Sequence, residues 1–257
     1  MTPAVFDLRG RVALVTGAGS STGIGFASAR LLAELGAVVA ITSTSSRIHD
    51  RVADLGGAPA TGHVADLTDE SQAGQLVADV VAAHGRLDIV VANAGMTSVT
   101  VAGESGGIAG TTADAWRAGI ARNLDTAFHV LRAALPHLVA GGAGRIVAVS
   151  SVTGPVMAMR DEAAYAAAKA GLVGLVRSIA VDHAADQVTA NAVAPGWIAT
   201  GSQTPAEARL GRGVPAGRSA TPDEVASAVA WLCTPGAAYV TGQCLVVDGG
   251  NSIAEER

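Results

Sequence analysis

Short apolar runs rich in Val, Ile and Ala recur along the chain, each followed by a turn and then by an Ala/Leu-rich stretch with apolar residues at helical spacing. A run that is apolar at every position, not at alternate ones, suits a strand buried on both faces, as in a parallel sheet covered by helices. The pattern predicts seven such strands: RVALVT at 11–16, AVVAIT at 37–42, PATGHV at 59–64, LDIVVA at 87–92, RIVAVS at 145–150, VTANAV at 188–193 and QCLVVD at 243–248. Strands alternating with helices predict an α/β fold with a doubly wound parallel sheet and helices on both faces.

Helix boundaries are readable in several places. GFASARLLAELG stops at Gly36, TDESQAGQLVADVVAAHG opens on a Thr/Asp cap and stops at Gly85, and TPDEVASAVAWLC opens with Thr221, Pro222 and acidic residues, the order of a cap and first turn. No linker, repeat or low-complexity tract divides residues 1–257, so they read as one domain. Two Gly-rich segments, 97–110 and 200–213, read as loops after the fourth and sixth strands. Loops that leave the carboxyl ends of parallel strands line the ligand crevice, which makes these the expected substrate side.

Composition narrows the partners. At 257 residues and 49% hydrophobic, the chain has material for a large core. With 15% charged residues, a net charge of -5 and no basic cluster, it lacks the electrostatic footprint for nucleic acid or an anionic membrane. No uninterrupted apolar run reaches the roughly 18 residues of a membrane span, and the first residues lack a targeting pattern, so a cytoplasmic protein with a small-molecule partner is expected. Cys233 and Cys244 are too few for a disulfide framework and read as small core side chains. The six histidines form no short-spaced ligand pair, so no metal is assigned. Trp116, Trp231 and Tyr239 are expected in the core or at a subunit contact.

The first strand runs into TGAGSSTGIGFASARLLAELG. Glycines at a strand-to-helix junction let the backbone approach a pyrophosphate, whose charge the exposed N–H groups and the helix dipole attract. Candidates for this cradle are Gly17, Gly19, Ser21, Thr22, Gly23, Ile24 and Gly25. The spacing is not the common G-x-G-x-x-G, since Thr22 stands at its last position. At the end of the second strand, an acidic residue would favour NAD(H) by binding the adenosine ribose. Here ITSTSSR has none; Ser43, Thr44 and Ser45 offer hydroxyl donors and Arg47 a charge for a 2′-phosphate, so NADP(H) is favoured, with NAD(H) the alternative. The plainer reading is that these hydroxyls cap the next helix.

EAAYAAAKAG holds the only lysine of the chain, Lys169, four residues after Tyr165. On a helix the two lie on one face, one turn apart. A neighbouring ammonium favours a phenolate and lowers the tyrosine pKa, which suits Tyr165 to general acid–base work. An isolated Y-x-x-x-K is more often two unrelated surface residues, but this one has company. Ser150 and Ser151 end the strand upstream, Asn123 lies on the preceding helix, and NAVAPGWIAT and YVTGQCLVVDGG follow.

In this order the motifs resemble the short-chain dehydrogenase/reductase superfamily over nearly the whole chain. The resemblance implies a Rossmann-type fold and a catalytic tetrad of Asn123, Ser151, Tyr165 and Lys169. Ser151 is preferred to Ser150 because it directly precedes VTG. The family's T-G-x-x-x-G-x-G loop carries two additional residues here, or else Gly19 takes the first glycine's part. The resemblance also implies that Asp66 and Leu67 of VADL contact the adenine and that Asn93, Ala94 and Gly95 form the N-A-G turn. In the P-G-x-x-x-T pattern, Pro195, Gly196, Ile198 and Thr200 would hold the nicotinamide carboxamide. Met157 and Trp197 are candidate substrate contacts beside Ser151.

The implied reaction is hydride transfer between a nicotinamide and a ketone or secondary alcohol. The nearest pattern is that of β-ketoacyl-[acyl carrier protein] reductases, including VPAGR at 214–218. That admits a carrier-bound 3-oxoacyl thioester as well as an apolar or cyclic ketone. The alternatives are a non-catalytic dinucleotide-binding sensor and an NAD-dependent hydroxysteroid or sugar alcohol dehydrogenase. The family also implies a homo-oligomer, a tetramer or dimer, built on the Ala-rich helices at 112–138 and 161–185.

Overall fold

The computed structural model describes residues 2–95 and 106–255. All seven expected strands form within it: β1 Val12–Val15, β2 Val38–Ser43, β3 Ala60–Val64, β4 Ile89–Ala92, β5 Arg145–Val149, β6 Thr189–Pro195 and β7 Cys244–Val247. They build one parallel sheet in the order β3-β2-β1-β4-β5-β6-β7. The order reverses between β1 and β4, and the crevice beyond their carboxyl ends is where such sheets bind ligands.

Both sheet faces are apolar, which explains the unbroken runs in the sequence. Leu14, Val90, Ile146 and Ala190 pack on one side, while Val15, Ile41, Val91 and Val147 pack on the other. The first side is covered by α3 (Glu70–His84), α5 (Thr126–Ala140) and α6 (Ala163–His183), and the second by α1 (Ile24–Glu34), α2 (Arg47–Asp54) and α8 (Pro222–Cys233). Caps sit where the sequence places them. Asp69 accepts from the N–H groups of Ser71 and Gln72 to open α3, and Gly85 closes it at φ 75°. Thr221 and Glu224 form a reciprocal capping box on α8.

Two expectations change. The segment 200–213 is not a loop throughout: α7 occupies Pro205–Arg212, opened by a capping box between Thr204 and Glu207 with proline at its start. Flanking glycines hid it, although T-P-A-E repeats the signature read correctly in T-P-D-E. Of the segment 97–110, residues 97–105 lie outside the described residues; beyond them, α4 spans Ala113–Ile120. Trp116, Trp231 and Tyr239 are all exposed, Tyr239 fully, so of the two places expected for them the core is excluded and a subunit contact remains. Among the described residues one helix, α6, is long and apolar enough to cross a membrane, but it packs against β5, β6 and α4.

Gly154 shapes the connection from β5 to α6. It holds φ 111°, and an added Cβ would press into the Ala166 carbonyl of α6. Gly154→Ala is therefore expected to destabilise the protein by about 2–4 kcal/mol, from left-handed backbone and overpacking together. Denaturant unfolding of the two proteins measures it, and a midpoint unchanged from the parent would contradict the close approach.

Candidate active site

Reciprocal hydrogen bonds fasten α6 to the end of β5. Lys169 Nζ donates to the Val149 carbonyl at 3.0 Å, and Ser150 Oγ donates to the Lys169 carbonyl at 2.8 Å. Ser150 is thereby turned inward, and its neighbour Ser151 faces the cleft. Tyr165, one helical turn before Lys169, lines the same cleft, and its ring centroid lies 5.6 Å from Lys169 Nζ. Ser151 Oγ also accepts the Thr153 N–H at 3.1 Å. Ser151, Tyr165 and Lys169 are thus one cluster.

Its electrostatics differ from the expectation of a depressed tyrosine. Burial, the dominant influence, raises the Tyr165 pKa; a hydrogen bond with Ser151 lowers it, and the charges of Glu162 and Glu207 raise it again, for a net upward shift. Lys169 is 3% exposed, and burial alone brings its pKa from 10.5 to about 8. The desolvation that disfavours the phenolate disfavours the ammonium as well.

Asn123 sits in a π-helical turn, Ala121–Asp125, between α4 and α5. Such turns insert one residue into a helix and redirect its side chains, and they are frequent at functional sites. Asn123 is buried, Nδ2 donates to the Gly119 carbonyl at 3.1 Å, and Oδ1 packs over Gly95. Gly95 has φ 135°, and a Cβ there would lie 3.0 Å from that oxygen, so the turn after β4 and Asn123 are in direct register.

Thr16 and Asn93 hold the crevice at the reversal of strand order. Thr16 Oγ1 accepts the N–H groups of Asn93 and Ala94, each at 3.0 Å. Asn93 Nδ2 donates to the carbonyls of Thr16 at 3.0 Å and Gly17 at 3.1 Å. Gly17 at φ 67° and Gly25 pack so closely against this turn that neither tolerates a Cβ. Gly23 caps α1, with no side-chain cap and no acidic residue in the first turn, leaving its N–H groups available to an anion.

The outer part of the glycine loop makes contacts of its own. Ser21 and Thr22 are exposed, and Thr22 Oγ1 accepts the Gly201 N–H at 3.0 Å, joining the glycine loop to the segment before α7. Gly19 lies beneath Ser43 and Arg47, where a Cβ would come within 2.7 Å and 2.6 Å of their side chains. Ser43 Oγ donates to the Ser45 carbonyl at 2.8 Å, and Ser46, the N-cap of α2, makes no side-chain cap bond. The hydroxyls at 43–45 therefore do not cap α2. Thr44, Ser45 and Arg47 are exposed, clustered with Gly19 at the end of β2. Asp66, past the end of β3, accepts from the N–H and hydroxyl of Thr68, while Leu67 is buried with its carbonyl accepting from His129.

The cleft between these groups encloses about 440 Å³. Gly196, Ile198 and Thr200 line one side, after Pro195 ends β6, and Gly196 is pressed against Asp248. Trp197 and Met157 line the cleft too, as anticipated. Sequence reasoning missed two carboxylates there, Glu162 at the N-cap of α6 and Glu207 in the first turn of α7. The capping box at 204–207 is the signal that would have placed Glu207.

Comparison with known proteins agrees with this geometry. The family model described as Enoyl-(Acyl carrier protein) reductase matches residues 17–252. A cis-4-hydroxycyclohexanecarboxylate dehydrogenase of Sinomonas cyclohexanicum is 41% identical over 93% of this chain and 96% of its own length. A 3-oxoacyl-[acyl-carrier-protein] reductase of Vibrio cholerae is 39% identical over 95% and 98%. Among solved structures, a levodione reductase superposes with TM-score 0.88 at 30% identity, covering 96% of this chain and all of its own.

The buried lysine is a stability liability with a defined pH dependence. Because its folded pKa, about 8, lies below the unfolded 10.5, folding favours the neutral amine, and that contribution is lost as pH falls through about 8. The shift corresponds to about 3 kcal/mol, against about 1 kcal/mol for the hydrogen bond to Val149. Lys169→Met is expected to be more stable than the parent by about 1–2 kcal/mol at pH 7, with the gap closing between about pH 8 and pH 10.5. Unfolding curves across that range test it, and a pH-independent difference would contradict it.

Proposed function

The chain belongs to the short-chain dehydrogenase/reductase family, NAD(P)-dependent enzymes acting on CH–OH and carbonyl groups, and from that premise we propose an NADP(H)-dependent reductase of a ketone to a secondary alcohol. The observation that carries it is the convergence of Ser151 and Tyr165 on one cleft, with the buried Lys169 Nζ 5.6 Å from the tyrosine ring centroid and tied to the end of β5.

The residues around the crevice fit a dinucleotide. The N-terminus of α1 and the close-packed Gly17 and Gly25 suit the pyrophosphate, and Asp66 and Leu67, just past the end of β3, are the proposed adenine contacts. Arg47, with the exposed hydroxyls of Thr44 and Ser45 just before it, suits a 2′-phosphate, while the buried Ser43 hydroxyl is already donated to the Ser45 carbonyl. When bound, the reduced nicotinamide supplies the hydride. Thr200 and the backbone after Gly196 would hold its carboxamide, and Lys169, with donors left beside its bond to the Val149 carbonyl, would address the ribose hydroxyls. Ser151 Oγ holds the substrate oxygen, and Tyr165 Oη delivers the proton to it, so that negative charge does not accumulate there. Asn123, set by the π turn, orients a water that renews the proton.

The raised tyrosine pKa keeps the phenol protonated through neutral pH, as a proton donor requires. Trp197 and Met157 give the cleft apolar walls of a size for a small cyclic or acyclic ketone. A 3-oxoacyl thioester on a carrier is the second substrate class, resting on the Vibrio relative's name. Exposed Trp116, Phe128 and Val181 on α4, α5 and α6 support a homo-oligomer assembled through those helices.

Tyr165→Phe is expected to lower kcat by at least about 1,000-fold while leaving NADPH binding within a few-fold, since only the proton donor is lost. Turnover followed by NADPH absorbance on a ketone panel, with binding followed by nicotinamide fluorescence, decides it; parent-like turnover would refute the assignment. Arg47→Ala is expected to lower kcat/KM for NADPH by about 10- to 100-fold and leave NADH unchanged, as fits loss of one charged phosphate contact. A parent enzyme that prefers NADH would overturn the cofactor reading.

A further inference from the structure

Asn251, from the turn that follows the edge strand β7, lines the cleft together with Ser151, Met157, Tyr165 and Trp197. Asp248 sets its position. One carboxylate oxygen of Asp248 accepts the Gly250 N–H at 2.9 Å and the other the Ser252 N–H at 2.7 Å, while its carbonyl accepts the Asn251 N–H at 3.2 Å. Gly249 and Gly250 take φ 64° and 87° to make this turn, with Gly249 against Ala216 and Val214 and Gly250 against Pro215. Asp248 also packs on Gly196, which lines the cleft from the end of β6. One residue therefore braces both Asn251 and the Gly196 wall.

The half-buried amide of Asn251 has most of its hydrogen-bonding capacity left. Among the described residues its side chain makes one hydrogen bond, from Nδ2 to the Met157 thioether at 3.5 Å, and such a sulfur is a weak acceptor. Two other polar side chains lining the cleft are already committed: Gln203 Nε2 donates to Ser219 Oγ at 2.8 Å, and Ser202 Oγ shares a hydrogen bond with Thr200 Oγ1 at 3.0 Å. Val152, Met157, Trp197 and Ile198 make the same cleft apolar, and in such a pocket a few placed polar groups orient the ligand. An uncharged amide with a donor and an acceptor to offer matches a hydroxyl, which gives a bond to Oδ1 and receives one from Nδ2. We propose that Asn251 is a specificity-determining residue that binds a hydroxyl carried by the substrate beyond its ketone carbon, so that hydroxyketones are preferred to apolar ketones of the same shape. This rests on the reductase reading above, which it deepens by assigning a substrate class.

Ring ketones of matched size isolate the hydroxyl: 3- and 4-hydroxycyclohexanone, each against its methylcyclohexanone twin. In at least one pair the parent is expected to favour the hydroxyketone by about 10-fold or more in kcat/KM, the order found when an apolar twin leaves a buried polar group unpaired. Asn251→Leu keeps the approximate shape without donor or acceptor, and Asn251→Ala removes the group altogether. In both, the preference should fall to within about 3-fold, chiefly through a higher KM for the hydroxyketone. Thermal unfolding verifies that both variants are folded.

A parent with no hydroxyl preference in either pair, or a preference that persists in either folded variant, overturns the proposal. Because turnover also depends on the reductase assignment, the same compounds are titrated by calorimetry into the protein–NADP+ complex, where no hydride is available. Tighter binding of the hydroxyketone in at least one pair, lost in both variants, supports the Asn251 subsite even where no ketone is reduced and the reductase reading falls. Equal binding within both pairs, or binding of none, overturns it.

Discussion

The link between Lys169 and the end of β5 is the constraint on which the rest of the site depends. Its side chain reaches down to the Val149 carbonyl while its own carbonyl receives the Ser150 hydroxyl. Two bonds in opposite directions fix the axial position of α6 against the sheet. A shift of α6 along its axis breaks both, and Tyr165 and Ser151, carried on the two linked elements, move with them. The lysine is stabilising here through its geometry and destabilising through its burial, which draws its pKa down to about 8. A packing residue chosen for stability alone would not carry an amine.

The opposite bank of the crevice is held by a comparable device without charge. Thr16 and Asn93 exchange bonds across β1 and β4, and Gly17 and Gly25 bring the glycine loop within touching distance of the turn after β4. The loop therefore keeps its base in place, while Thr22 reaches outward to Gly201 before α7 and Gly19 lies against Ser43 at the end of β2 and Arg47 beyond it. The glycine loop thus touches both the segment that leads into α7 and the residues just beyond β2.

Much of this was legible in the sequence because it is local. Unbroken apolar runs announced strands buried on both faces, Gly85 announced a left-handed helix stop, and the four-residue spacing of Tyr165 and Lys169 needed only a helix to bring them together. The illegible parts depend on the tertiary environment. The direction of the Tyr165 shift is set by burial and by two glutamates, one of them 42 positions away, as 207 minus 165 gives. Spacing alone suggested an ammonium that depresses it. The π turn under Asn123 has no period that a pattern search detects, and α7 was masked by the glycines around it although its cap was written plainly in T-P-A-E.

Burial and the two glutamates act on the reaction in the same sense. Each favours the neutral phenol, so in the reaction we propose the tyrosine is poised to give a proton to a nascent alkoxide and resists taking one from an alcohol. Reduction begins from the protonation state that the environment prefers, whereas oxidation must first reach the one it opposes. In the proposed reduction, the proton that leaves Tyr165 must be replaced before its phenolate is stranded beside these carboxylates. On the proposed reading, the buried Lys169 beside the ring and the Asn123 turn are the groups assigned to that need, which would account for a costly lysine and an irregular helix at the edge of an otherwise regular sheet.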